Sequence, residues 1–233
     1  MKLLSKLRAN LAKDRQTLKA LSFRQKLRFI LDYYRGYAFI LFCLCLAGFY
    51  LGDIWIQTRR DTVLEGFFTN DEENLFPAKT ITQEFSEFLN LSSGQQVVFD
   101  DSLYVQPGSS VDYHTASQGK IVAYVSAREL DFLVTTRELA EYYSQNLPVD
   151  DLEQFLPPEL VTRFRDQLYY IPDSQGVTKA CAISLEESRF EKGTASPEAA
   201  PHYLMVFSYT KHQDAMIRFL EYAFELDWHF VSP

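Results

Sequence analysis

Three pairs of neighbouring polar residues carry what chemistry this sequence offers: Asn70-Asp71, Asp100-Asp101 and Thr135-Thr136. The first two pairs follow stretches with strand character and the third opens a helical one. In open α/β sheets ligands bind outside the carboxyl ends of the strands. Carboxylates and an amide there can grip polar groups, and a threonine pair at a helix start brings free N–H groups that suit an anion. The same residue types also end strands and cap helices for local backbone reasons. All six are therefore taken as candidate binding residues. Asp150-Asp151 reads as a helix start, where negative charge suits the helix dipole.

The remaining chemistry is thin. The histidines, His114, His202, His212 and His229, show no HExxH or other close metal spacing, and each reads as a surface or loop residue. Cys181 sits in a strand pattern and packs as a small hydrophobe. Ser117-Gln118-Gly119-Lys120 has the Ser-x-x-Lys form of penicillin-recognising enzymes, but Ser-Asp-Asn and Lys-Thr-Gly are missing. GxSxG, phosphate-loop and GxGxxG motifs are also missing. No catalytic residue, metal ligand or cofactor is expected.

The elements that must position these residues alternate. Thr62–Thr69 is rich in β-branched and aromatic residues, and Ile81–Leu91 spaces Phe85, Phe88 and Leu89 as a helix. Gln96–Phe99 reads as a strand ended by Asp100-Asp101. Tyr113–Ala127 reads as a helix with Ala116, Ala123 and Ala127 on one side, and Leu130–Val134 as a strand. Thr135 is expected to cap the next helix, through Gln145, with Glu138 as its box partner. Asp150–Leu156 and Pro158–Leu168 look like short helices. Leu168–Ile171 and Val177–Leu185 flank a Pro-Asp-Ser-Gln-Gly turn, a hairpin signal. After the polar loop Glu186–Pro201 come a buried strand, Tyr203–Tyr209, and an amphipathic helix, Asp214–Leu226, with Met216, Phe219, Leu220 and Ala223 inward. The layout predicts a three-layer α/β domain over residues 61–233 with a mostly parallel or mixed sheet.

The first 35 residues carry ten Lys/Arg and two Asp, a net charge of +8, against −8 for the whole chain, so residues 36–233 carry −16. The seventeen residues Gly36–Gly52 hold no charge and give roughly 26 Å of helix. Extension to residue 58 passes the roughly 30 Å hydrocarbon core. The expectation is a basic amphipathic cytoplasmic segment (1–35), a single transmembrane anchor (36–58) in the lipid bilayer, and an extracellular C-terminal domain. Leu46-Ala47-Gly48 poorly matches a signal-peptide cleavage site, and Phe49 stands where a lipoprotein would need cysteine. With Cys181 alone beyond the anchor, no disulfide can form within the outer domain, which favours a bacterial surface. Its acidity argues against nucleic-acid binding.

The run Ala127-Arg128-Glu129, strand Leu130–Thr135, capped helix and Leu152-Glu153-Gln154-Phe155-Leu156-Pro157 resembles one half of an extracellular solute-binding protein. Ser208-Tyr209-Thr210 followed by Ala215–Tyr222 resembles a late strand and helix of those proteins. With Asp32-Tyr33-Tyr34 ahead of the apolar stretch, the layout is similar to uncharacterised membrane-anchored proteins of gut Firmicutes. The resemblance implies a periplasmic-binding-protein-like lobe. A complete two-lobed binder exceeds 250 residues, whereas this domain has about 173, so ligand closure does not carry over. The expected function is a non-catalytic binding or interaction module with a membrane or surface protein partner and room for a small-molecule ligand. A membrane-tethered hydrolase and a sensor subunit are the alternatives.

Overall fold

The computed structural model describes residues 36, 39–50, 52, 60–172, 176–196 and 200–226. The chain divides into two units, Met1–Arg59 and Arg60–Pro233. Residues 39–50 are helical. Among the described residues no helix is long and apolar enough to cross a membrane. The basic segment 1–35 and most of the remaining positions of the expected anchor lie outside the described residues.

The second unit is an α/β domain. Its strands are β1 (Asp61–Thr69), β2 (Gln95–Leu103), β3 (Phe132–Thr136), β4 (Leu168–Pro172), β5 (Thr178–Ser184) and β6 (His202–Val206). Its helices are α1 (Ala78–Phe88), α2 (Asp112–Ala127), α3 (Arg137–Asn146), the short α4 (Leu152–Phe155) and α5 (Pro158–Arg163), and α6 (Gln213–Ala223). The strand order is β2-β1-β3-β6-β5-β4. Both neighbours of β1 run parallel to it, while β3-β6, β6-β5 and β5-β4 are antiparallel. The sheet is therefore mixed, as the sequence allowed, with its parallel pairs on the two sides of β1. The β4–β5 turn is too short for a crossover, which forces an antiparallel pair, and β6 then fills the place between that hairpin and β3.

Helices cover both faces, giving the three layers. Leu64, Phe68, Phe132 and Val134 point to the face covered by α1 and α6. Phe67 and Leu133, one residue out of step, point to the face covered by α2 and α3. Met216, Phe219, Leu220 and Ala223 of α6 are all buried, as their spacing predicts. In α2 the buried positions are Ser117, Ile121 and Val125. Ala116, Ala123 and Ala127 face outward instead, because the face that meets the sheet carries Ile121 and Val125, whose burial gains more than that of alanine.

Candidate functional site

The path β1-α1-β2 covers one face of the sheet, and β2-α2-β3 returns across the other. The strand order therefore reverses between β1 and β3. At such a switch point the two outgoing chains diverge and leave a crevice beyond the strand ends. Asn70, Asp71, Thr135 and Thr136 all lie at this edge, because Phe68 pairs with Val134 and the register carries Thr69 to Thr135.

Hydrogen bonds fix each residue locally. The buried hydroxyls of Thr69 and Thr135 are 2.8 Å apart, with Thr69 Oγ1 also 3.1 Å from the Val134 carbonyl. Asn70 is left-handed (φ 58°). Its amide donates to the Val105 carbonyl and accepts from the Val105 N–H, both at 2.9 Å. The buried Asp71 carboxylate accepts the N–H groups of Leu75 (2.7 Å) and Phe76 (2.6 Å), closing the loop into α1. Asp101 accepts the Ala78 N–H at 2.8 Å, which gives α1 its cap from a distant strand.

Two expectations need correction. Asp100-Asp101 continue β2 rather than end it. An edge strand tolerates them because Asp100 meets Lys120 and Ser102 while Asp101 meets α1. Burial pushes the Asp100 carboxyl up, but the hydrogen bonds from Lys120 and Ser102 outweigh it and hold it below the usual carboxylate range. Asp100 thus turns toward α2 and does not join the crevice. Thr135 lies inside β3, fully buried; Thr136 is the residue before α3, and its side chain makes no capping bond.

Two buried residues at this edge depart from the sequence reading: His202, expected on the surface or in a loop, and Glu191, from the polar loop Glu186–Pro201. His202 begins β6 opposite Thr136. Its Nδ1 is 2.8 Å from Glu191 Oε1, its backbone N–H donates to the same oxygen at 2.9 Å, and its Nε2 lies 3.5 Å from the Asn70 carbonyl. Burial alone would lower the imidazole pKa. The Glu191 hydrogen bond and charge, the Asn70 carbonyl and the Asp71 charge outweigh burial and raise it.

A second feature lies at the opposite edge, a cleft of about 520 Å³ lined by Glu65, Glu129, Asp131, Tyr209, Thr210 and His212, among others. Asp131 is 3% exposed and accepts from the Glu65 N–H (2.8 Å) and the Thr210 hydroxyl. His212 Nδ1 lies 3.0 Å from its Oδ2. Burial, then the Glu129 and Asp131 charges, push the Glu65 carboxyl up to about 7. The Tyr209 hydroxyl is buried with no hydrogen-bond partner among the described residues. Among the described residues no group of three or more His, Cys, Asp or Glu could hold a metal ion.

The raised Glu65 fixes the sign of a pH effect. The folded state binds this proton more tightly than the unfolded chain, so its contribution falls as pH rises from the ordinary 4.5 toward 7. Glu65→Gln should raise the melting temperature at pH 8 and change it little at pH 4.5. Equal shifts at both pH values would show that the carboxyl is not desolvated.

No protein-family model, no curated protein and no solved structure matches this chain.

Proposed function

We propose that this chain is a membrane-anchored, extracytoplasmic binding or interaction module, an accessory subunit of a surface or transport-associated assembly, resembling a single solute-binding lobe. Its binding site is the crevice beyond β1 and β3. The observation that carries this reading is the reversal of strand order at β1, which brings Asn70, Asp71, Thr135 and Thr136 from two separate strand–helix turns to one edge. The charge step from +8 to −16 across the apolar stretch supports the anchored orientation.

The test uses the full chain in its own membrane. Protease added to intact cells should remove an epitope at Pro233 and spare one at Met1. Photo-crosslinking from Thr136, at the crevice rim, should capture a specific membrane or surface partner, and crosslinking from Glu87, on the outer side of α1, should not. Equal labelling from both positions would overturn the crevice as the site. A mature protein beginning near Gly48 would overturn the anchor.

A hydrolase reading is favoured by one observation, the Asp131–His212 pair beside the raised Glu65 in the open cleft. A carboxylate that orients a histidine, next to a carboxyl that keeps its proton near neutrality, is an acid–base arrangement. Turnover of a neutral ester panel that His212→Gln abolishes would select this reading over the first.

A further inference from the structure

The loop after β5 is tied to the same edge as the crevice. The segment that follows β5 returns across the edge, and two ties hold it. At one end Glu191, 5% exposed, meets the His202 ring and backbone. At the other, Ser196 donates its N–H and hydroxyl to the Glu73 carboxylate at 2.9 and 2.6 Å, joining this segment to the loop that leaves β1. Between the ties the chain turns tightly. Thr194 and Ala195 both donate to the Glu191 carbonyl, and Gly193 takes a positive φ of 72° that suits glycine. Phe190 is buried against Phe76 and Phe219 and fixes the segment's start. Among the described residues, 191–196 are the stretch of this segment that lies beyond the Phe190 anchor.

We propose that the Glu191–His202 pair is a proton-operated clasp: with His202 protonated it pins the Glu191 end of residues 191–196 over the β1/β3 crevice, and loss of that proton releases that end, leaving Ser196–Glu73 as the remaining tie. The inference rests on the crevice being the ligand site and supplies its regulation.

A protonated His202 donates from both ring nitrogens, to Glu191 and to the Asn70 carbonyl. A neutral ring has one N–H. If Nδ1 keeps it, the Nε2 lone pair faces the Asn70 carbonyl oxygen, and the tie to the loop after β1 is lost. The buried Glu191 carboxylate loses its counter-charge at the same step. An unpaired buried charge is costly, and the relief open to Glu191 is to turn outward into water and take its end of residues 191–196 with it. Among the described residues, the charged groups that face His202 are Glu191 from the returning segment and Asp71 and Glu73 from the loop after β1. The Phe76 ring packs edge-on against the imidazole at 5.0 Å and keeps water away. All three neighbouring charges are negative, so each favours the protonated, closed state. The clasp holds at lower pH and opens as pH rises through the His202 titration.

Hydrogen exchange by mass spectrometry on the full chain in lipid nanodiscs tests this, with rates corrected for the intrinsic pH dependence. Between pH 6 and pH 9, protection in residues 191–196 and 70–76 should fall by about tenfold, the scale of one charge-assisted hydrogen bond. Protection in α2, on the other face, should hold. His202→Gln should show the open pattern at both pH values. Should that variant fail to fold, the wild-type profile still decides: the two segments must open in step with the His202 imidazole resonance followed by NMR. Unchanged protection in these segments, or equal loss across the domain, would overturn the clasp. Neither result depends on a ligand, so failure here and failure of the crevice as a binding site are told apart.

Discussion

Phe219→Ala will cost about 3–5 kcal/mol of stability, the range for a fully buried phenylalanine. Phe219 is 0% exposed in the middle of α6. Its ring lies 4.7 Å from Phe132, 5.2 Å from Phe85, 5.5 Å from Phe99, 6.2 Å from Tyr222 and 6.4 Å from Phe190. These neighbours come from β3, α1, β2, α6 itself and the loop after β5, so no single element can move in to fill the space. The cost is a large share of the 5–15 kcal/mol that holds an ordinary domain together. Urea unfolding followed by circular dichroism measures it, and a loss under 1 kcal/mol would show that the cluster can close around the gap.

Gly66→Ala will destabilise the domain by about 3 kcal/mol, at the upper end of the usual range for overpacking. Gly66 stands directly opposite Phe132 across the β1–β3 pair. A Cβ added there would lie 2.1 Å from Phe132 Cζ and 2.2 Å from Cε1. The ring lies across the bare glycine backbone, a pairing that glycine alone permits. It cannot lift away, because Phe219 stacks on it and Phe68 and Phe99 meet it edge-on. Phe132→Ala in the same chain should recover part of the loss, so the two changes will be strongly non-additive. Simple additivity would mean that the clash lies elsewhere.

Much of the fold can be read from the residues. The β-branched and aromatic run of β1 and the Met216/Phe219/Leu220/Ala223 spacing of α6 each name their element and buried face, since these patterns arise from local geometry. The Pro-Asp-Ser-Gln-Gly turn marks the β4–β5 pair for the same reason. The neighbours of β6 are less legible. Nothing within Tyr203–Val206 says that it will sit between β3 and β5, because that placement depends on partners up to 74 residues away. The boundary at Thr135 misleads because a threonine after an apolar run suits a strand end and a helix cap equally, and pairing with Thr69 decides between them. In the site, the strand-end residues Asn70 and Asp71 show their character directly. His202 and Glu191 do not. Their pairing joins positions 11 apart with an irregular loop between them, and no periodicity records such a contact.

The place of β6 has a consequence for how the chain can be built. Among the described residues the β4–β5 hairpin joins the other three strands only through β6, which is synthesised after all five of them. As the chain leaves the ribosome, β1, β2 and β3 can pair early, but β3 then waits with an apolar, unsatisfied edge until residues 202–206 emerge. Such an edge invites association with other chains, and the long-range closure that ends the wait is slow. The nascent domain is therefore most in need of protection while the segment between Thr136 and His202 is being made. A message cut short after Ser184 would encode five of the six strands, yet it would yield a three-stranded sheet and a separate hairpin with no strand to join them.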